Sequence, residues 1–184
     1  KAGSAEYRAH LVEKSAELRR QQESLSEVVS REPVSESHIS YYSSWAWAAA
    51  HVLTSIPSFQ TTKAIARRLS LPLPQVEHIL RSLEAWGSVK REKDLWKFAG
   101  NEHHISKASP LSTFHHSNWR QRAILNSQLQ QPKSLHFTVV QSISEKDFEV
   151  LRGMILNFIR EFSKVAAPSR EEKLVCFNCD FFEP

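Results

Sequence analysis

Glycine is scarce, because the 184 residues include only Gly3, Gly87, Gly100 and Gly153. A glycine-rich loop that could cradle a phosphate is therefore excluded, and neither G-x-S-x-G nor H-E-x-x-H occurs. The scattered Ser, His and Asp residues cannot be assembled into a catalytic triad from sequence alone. We therefore expect no enzymatic activity, no catalytic residues and no cofactor.

Long apolar runs are also lacking. No window reaches the roughly 18 uninterrupted apolar residues that a membrane-spanning helix needs. The first residues, Lys-Ala-Gly-Ser, lack the charged-then-apolar pattern of an export signal. We therefore expect a cytoplasmic protein with no membrane partner. Because the first residue is a lysine, we also expect that a segment upstream of Lys1 is missing.

Cysteine is limited to Cys176 and Cys179, which form one C-x-x-C pair. A single pair supplies half of the ligands of a structural zinc site. A strand through residues 173–182 would point the two side chains to opposite faces, so we expect two buried, unreactive thiols.

Histidine offers the other candidate metal ligands, in the pairs His103-His104 and His115-His116. Adjacent residues on a helix diverge by about 100°, so the two members of a pair cannot both face one ion. We therefore predict solvated or hydrogen-bonded histidines and no metal site.

The sequence does contain a local excess of positive charge. Residues 1–40 hold six Lys/Arg and seven Asp/Glu, residues 41–100 hold eight and four, and residues 101–184 hold ten and nine. The net charge of residues 41–100 is therefore as large as the net charge of the whole chain, +4. A localised basic excess is typical of a phosphate-binding surface, although a merely solvated face would also produce it.

Residues 5–29 lack proline and glycine and are rich in helix formers, which predicts a long helix. Leu11, Leu18 and Leu25 are seven apart, but the second seam that a coiled coil needs has only Val28 as an apolar member. An amphipathic helix lying on the body is favoured over a dimer zipper. Residues 30–40, with Pro33 and several serines, predict a linker.

Apolar residues at helical spacing predict three helices from Tyr41 onwards. The first covers residues 42–56 and is stopped by Pro57. Thr61 or Thr62 can cap the second, and the turn Ser70-Leu71-Pro72-Leu73 ends it. The third begins at Pro74 and ends at Gly87. Its predicted buried face consists of Val76, Ile79, Leu80, Leu83 and Trp86.

Residues 88–98 consist of two short arms around a charged tip, which predicts a β-hairpin with a basic wing. Trp96 is expected in the core. Beyond it, a helix is predicted over residues 114–128, a strand over 135–143, a helix opened by the pair Ser144 and Asp147, and a strand over 173–182. The two strands and their helix would form a β-α-β unit. The buried face of that helix is predicted to be Phe148, Leu151, Met154, Ile155, Phe158, Ile159 and Phe162.

The predicted fold class is therefore α+β. Residues 1–40 form an N-terminal helix and linker, residues 41–100 a winged helix-turn-helix of three helices and a β-hairpin wing, and residues 101–184 an α/β C-terminal domain. Such a module presents its third helix to the major groove of DNA.

Residues suited to that role lie on three elements. On the third helix, Arg81 and Gln75 are types that read guanine and adenine edges, and His78 and Ser82 can bond to bases or phosphate. The second helix and the wing would position the module on the backbone. The full candidate set is Lys63, Arg67, Arg68, Gln75, His78, Arg81, Ser82, Lys90, Arg91 and Lys93. Glu77 faces the same way and counts against phosphate binding.

Four stretches together carry a family resemblance: Tyr41-Tyr42-Ser43-Ser44-Trp45, Ile65-Ala66-x-x-Leu69-x-Leu71, Leu80-x-x-Leu83-x-x-Trp86-Gly87, and Phe177-Asn178-Cys179-Asp180-Phe181-Phe182-Glu183-Pro184. In this order they resemble an uncharacterised bacterial paralogous family with a winged-helix-like domain of unknown function. The resemblance implies a transcription-regulator-like architecture and brings no established ligand or reaction.

We therefore expect a DNA-binding transcriptional regulator that binds double-stranded DNA, forms a homodimer and uses its C-terminal part for dimerisation or for sensing an unknown effector. The alternative is a winged-helix protein-interaction module in a signalling assembly, without DNA binding.

Overall fold

The computed structural model describes residues 36–100 and 109–184. The predicted N-terminal helix, most of the predicted linker and the pair His103-His104 lie outside the described residues. The predicted boundaries of the three domains stay a prediction.

Within the described residues the chain forms six α-helices and one two-stranded antiparallel sheet, which makes it an α+β protein as predicted. The elements are α1 (Glu36–Ser43), α2 (Trp45–Leu53), a 3-10 turn (Pro57–Phe59), α3 (Thr62–Leu69), α4 (Leu73–Ala85), β1 (Val89–Glu92), β2 (Leu95–Phe98), α5 (Pro110–Gln128) and α6 (Glu145–Ala166). The buried core lies among α1 to α4 and the hairpin.

The prediction of one continuous helix over residues 42–56 is wrong, because two helices, α1 and α2, share this stretch. Ser44 has an extended backbone, and its hydroxyl accepts a hydrogen bond from the N–H of Ala46 at 3.3 Å, so it separates α1 from α2 and caps α2. At the other end, the hydroxyl of Thr54 donates to the carbonyl of His51 at 2.6 Å, and α2 ends before residue 56. The predicted linker is also too long, because residues 36–40 belong to α1.

The second and third predicted helices are confirmed as α3 and α4. Thr61 caps α3 by accepting a hydrogen bond from the N–H of Ala64 at 3.2 Å. Ser70 then adopts a left-handed backbone, with φ 55°, which ends α3. The helix α4 begins one residue before the predicted Pro74 and is followed by Gly87 with φ 73°. Its buried residues are Val76, Ile79, Leu80 and Leu83, while Trp86 is half-buried.

The predicted hairpin is confirmed as β1 and β2. Val89 pairs with Phe98 and Glu92 pairs with Leu95, which leaves Lys93 in the turn with φ 56°. Trp96 lies in the core, as predicted, with 2% of its surface exposed.

The helix α5 joins the C-terminal part of the chain to the core. Trp119 meets Trp45 edge-on at 6.4 Å, and the guanidinium of Arg122 lies 4.1 Å from the centre of the Trp45 ring. The side-chain amide of Asn118 donates to the carbonyl of Tyr42 at 2.9 Å. These contacts fix α5 against α1 and α2.

The two predicted C-terminal strands are wrong. Residues 135–143 and 173–182 are described throughout, and neither stretch pairs in the sheet, so the predicted β-α-β unit does not form. High β-propensity measures how well side chains fit a neighbouring strand, and neither stretch has such a neighbour within the described part of the chain.

The helix between them, α6, is confirmed, and the Ser144 hydroxyl caps it by accepting a hydrogen bond from the N–H of Asp147 at 3.1 Å. The predicted burial of its apolar face is wrong, because none of its residues is buried. The expectation of buried thiols is wrong for the same reason: without a sheet to cover them, Cys176 and Cys179 are exposed.

Candidate nucleic-acid interface

The ten predicted contact residues lie on the surfaces of α3, α4 and the hairpin. All are exposed except Ser82, which is half-buried. Lys63 and Arg67 are four apart on α3 and share one side, whereas Arg68 lies about 100° further around the helix. The predicted set therefore does not form one continuous row, and contacts between the elements decide which of its members come together.

One hydrogen-bonded chain, which we call the Trp96 junction, links the hairpin, α3 and α4. The indole N–H of Trp96 donates to the Thr62 hydroxyl at 3.0 Å, and that hydroxyl donates to Oε2 of Glu77 at 3.0 Å. The other carboxylate oxygen, Oε1, pairs with the guanidinium of Arg81 at 2.9 Å. The junction consists of Trp96, Thr62, Glu77 and Arg81, and it sets the position of Arg81 relative to the other two elements.

The structure changes the interpretation of Glu77. Its charge alone counted against phosphate binding, but both of its carboxylate oxygens are used within the chain. Arg81 follows Glu77 at i+4, the favourable order for an ion pair on a helix. Since the Arg81 side chain is 63% exposed and the Glu77 side chain 33%, this pair contributes about 0.3–0.5 kcal/mol. The guanidinium is therefore oriented, yet it costs little to release to another acceptor.

Two further cations neighbour members of the junction, Lys63 in sequence and Arg91 in space. Lys63 follows Thr62 in α3 and is exposed. The guanidinium of Arg91 lies over the Trp96 ring, 5.3 Å from its centre, and its Nε donates to the carbonyl of Lys93 at 3.2 Å. The junction therefore connects Arg81 of α4, through Glu77 and Thr62, with the indole on which Arg91 of the hairpin lies.

The wing neutralises part of its own charge. The Glu92 carboxylate pairs with Lys97 at 2.5 Å and with Lys90 at 3.0 Å. Hydrogen bonds from Lys97 and then Lys90 lower the pKa of Glu92. The predicted phosphate contact Lys90 is thus already engaged with a carboxylate.

Four further cations of the candidate set are in no ion pair within the described part of the chain. Among the residues that the structure describes, no ion pair involves Lys63, Arg67, Arg68 or Lys93. Each can therefore meet a phosphate without first breaking an ion pair within the chain, and each would release counterions when it does so.

The other flank of α4 is aromatic. The rings of Trp47 and Trp86 stack at 5.2 Å, and His78 meets Trp47 edge-on at 5.8 Å. Gln75 and Ser82 are seven residues apart and share one side of α4. His78 is among the predicted contact residues, but its aromatic neighbours and the roles of Thr62 and Glu77 were not predicted, because these contacts join residues distant in the chain.

A buried histidine, His51, connects elements of the core next to the hairpin. Nε2–H of His51 donates to the carbonyl of Ser88 at 3.0 Å, so Nδ1 accepts from the hydroxyl of Tyr41 at 3.0 Å. His51 also stacks on Phe98 at 4.5 Å. Burial lowers the pKa of His51, and the hydrogen bond to Ser88 opposes this only in part. The neutral imidazole therefore joins α1, α2 and the start of the hairpin.

We expect this histidine to make stability depend on pH. As the pH falls below about 6.5, the unfolded chain takes up a proton that folded His51 resists, so the free energy of unfolding decreases. Chemical denaturation at pH 7.5 and pH 5.0 should show this loss, and His51→Gln should reduce it.

His115 is the comparison for this experiment. Partial burial, with the neighbouring His116 second, also lowers the pKa of His115. Since His115 is only half-buried, His115→Gln should change the pH dependence less than His51→Gln does. An equal pH dependence in His51→Gln and the unmodified chain would contradict the assignment.

Two other properties bear on the kind of site. Within residues 36–100 and 109–184, no group of three or more His, Cys, Asp or Glu side chains is arranged to hold a metal ion. In the same residues, none of the helices has both the length and the apolar content needed to cross a membrane.

Comparison with known families gives a match over nearly the whole chain. The family model described as "Domain of unknown function (DUF4423)" covers residues 14–183. No curated protein and no solved structure matches the chain significantly.

Proposed function

The chain belongs to the DUF4423 family, and from its candidate site we propose a DNA-binding transcriptional regulator in which residues 41–100 act as a winged helix-turn-helix. The observation that carries this proposal is the Trp96 junction. It links the carboxylate that orients Arg81 of α4 to α3 and to the hairpin, and Arg91 lies on its indole.

The order of the elements supports the same function. Three helices, α2 to α4, are followed directly by a hairpin, and a short turn joins α3 to α4. In helix-turn-helix proteins this arrangement places the last helix in the major groove. Here α4 is the reading helix and the hairpin is the wing.

Binding divides into two kinds of contact. Lys63, Arg67, Arg68 and Lys93 meet phosphates and contribute affinity without sequence preference. Arg81 exchanges its weak pair with Glu77 for the O6 and N7 atoms of a guanine, a bidentate contact that discriminates between base pairs. Gln75 and His78 extend that reading along α4.

We further propose that the regulator acts in the cytoplasm as a homodimer on paired half-sites. The C-terminal part would supply the dimer contact or sense an effector.

The first test measures the salt dependence of binding to duplexes selected from a random pool. Lys63→Gln and Arg67→Gln should each weaken binding to all sequences alike and lower the slope of log K against log salt by about 0.9. Lys90→Gln should have a smaller effect, because Lys90 is paired with Glu92. Lys146→Gln, an exposed change on α6, is the control.

A second candidate function, a protein-interaction module, is favoured by the half-exposed aromatic stack of Trp47 and Trp86 beside His78. Aromatic side chains are enriched at protein interfaces. The salt experiment separates the two functions: if no duplex is selected, or if binding is insensitive to salt, the DNA proposal fails and the protein-interaction module takes its place.

A further inference from the structure

A small cavity, which we call the α6 cavity, lies between α6 and the end of the chain. Its volume is about 240 Å³. Its lining from α6 repeats at the spacing of one helical face and consists of Phe148, Arg152, Ile155, Leu156 and Ile159. The other wall is formed by Cys179 and Phe181. The cavity therefore depends on the C-terminal residues staying in place beside α6.

Contacts with α5 keep that second wall in position. The side-chain amide of Asn178 donates to a backbone carbonyl of α5 at 3.3 Å. Nε of Arg120, also on α5, donates to Oδ1 of Asp180 at 2.9 Å. Residues 178 and 180 thus contact α5 while Cys179 and Phe181 line the α6 cavity, the alternation of an extended chain.

The wall of the α6 cavity is apolar except at Arg152 and Cys179. The rings of Phe148 and Phe181 stack at 4.8 Å, so an aromatic pair forms part of it. Among the described residues that line it, none is a carboxylate. The helix α6 carries four cations and four carboxylates, and of these eight only Arg152 lines the cavity. The position of Arg152 therefore makes the cavity cationic, although α6 as a whole is neutral.

The guanidinium of Arg152 is weakly engaged. Its one ion pair within the described residues joins Nη1 to Oε2 of Glu149 at 3.9 Å, and the two side chains are 54% and 64% exposed. A pair of this length between exposed groups is largely screened by solvent. Arg152 can therefore exchange Glu149 for the carboxylate of a ligand, which an arginine binds through two parallel hydrogen bonds.

The volume limits the ligand to a small molecule. Pockets for drug-sized ligands measure about 300–1,000 Å³, whereas an apolar cavity of about 150 Å³ accepts benzene. The α6 cavity lies between these sizes, so one ring or a short alkyl chain fits it together with a carboxylate. We propose that it binds a small monocarboxylate whose charge pairs with Arg152 and whose apolar body lies against Phe148 and Phe181.

This inference deepens the proposed function by naming the chemical class of the effector, and only that assignment rests on the proposed function. A ligand that contacts Phe181 would stabilise the neighbouring Asp180 on Arg120 of α5. The next residue of α5 towards its start, Trp119, contacts Trp45 of α2. Occupancy of the cavity would thus act on the helix that joins the C-terminal part to the core.

Titration of the full chain with sodium 3-phenylpropanoate, followed by nuclear magnetic resonance, tests the site. We expect a Kd of about 1 mM or below, the affinity of a ligand of about eleven non-hydrogen atoms. Arg152→Gln should weaken this binding by about tenfold or more. Arg160→Gln, at another exposed arginine of α6 that does not line the cavity, is the matched control and should leave the Kd unchanged.

The neutral 3-phenylpropanamide separates charge from apolar contact. It should bind the unmodified chain more weakly than the carboxylate does, and Arg152→Gln should bind the two equally. The proposal is overturned if neither 3-phenylpropanoate nor octanoate binds at about ten times the expected Kd. It is also overturned if Arg152→Gln binds 3-phenylpropanoate as tightly as the unmodified chain does.

Alkylation of the two exposed thiols locates the ligand. In Cys176→Ser, 3-phenylpropanoate at about ten times its Kd should slow the reaction of Cys179 with iodoacetamide by up to about tenfold. In Cys179→Ser the reaction of Cys176, whose Sγ lies 3.7 Å from Asn178 Oδ1, should keep its rate. Equal slowing of both thiols, or none at Cys179, would refute binding in the α6 cavity.

The inference and the proposed function fail separately. The titration and the alkylation contain no DNA, so their failure leaves salt-dependent DNA binding untouched. Loss of DNA binding would in turn leave the Kd for 3-phenylpropanoate unaffected.

Discussion

Trp96→Ala is expected to destabilise the protein by about 3–5 kcal/mol, the range for truncating a large buried aromatic side chain. Trp96 is almost fully buried between the hairpin and the helices, and its indole N–H donates to Thr62. The substitution removes both the packing and the donor. Urea denaturation followed by far-ultraviolet circular dichroism measures the loss, because the other tryptophans complicate fluorescence.

Trp96→Phe separates these two contributions. Phenylalanine keeps most of the apolar packing but has no N–H. The free energy of unfolding should therefore fall less than in the alanine variant: the missing hydrogen bond contributes about 0.5–1.5 kcal/mol, and the smaller ring adds a loss of packing. If Trp96→Ala lowers the free energy of unfolding by less than about 3 kcal/mol, the lower end of the expected range, Trp96 is not a central part of the core.

Arg81→Ala is expected to lower the preference for the selected DNA sequence over a single-base variant by about 5- to 150-fold, the equivalent of about 1–3 kcal/mol for a bidentate base contact. Affinity for unrelated duplexes should fall much less. Competition binding at fixed salt gives both numbers.

Arg81→Lys is the matched control, because lysine keeps the charge and loses the planar fork. It should retain the salt slope and lose most of the discrimination. Glu77→Gln should keep an acceptor for Thr62 while weakening the ion pair that orients Arg81. If Arg81→Ala and the unmodified protein prefer the same bases equally, α4 does not read sequence through Arg81.

The parts of the fold that follow from local chemistry were predictable. Thr61, the turn around Ser70 and the left-handed Gly87 set the limits of α3 and α4, and each acts within a few residues of the helix end that it defines. Ser44 was missed because the apolar spacing continues through it, which hides the break between α1 and α2.

The parts that depend on distant partners were not predictable. The composition of residues 135–143 and 173–182 predicts strands, but a strand also needs a neighbour, and composition does not supply one. Glu77 shows the same limit in the candidate site. The negative charge of Glu77 was known from the sequence, but its contacts were not. Its partner Thr62 lies fifteen residues away, and Trp96 lies thirty-four residues from Thr62.

The serial arrangement of the Trp96 junction has a consequence for local unfolding. The backbone N–H of Trp96 also donates to the carbonyl of Gln60 at 2.7 Å, so separating the hairpin from α3 breaks this bond together with the indole bond to Thr62. The Thr62 hydroxyl then loses its donor, and the carboxylate that orients Arg81 loses part of its support. The wing and the start of α3 therefore separate in one cooperative step, and amide hydrogen exchange in β2 would report the free energy of that step.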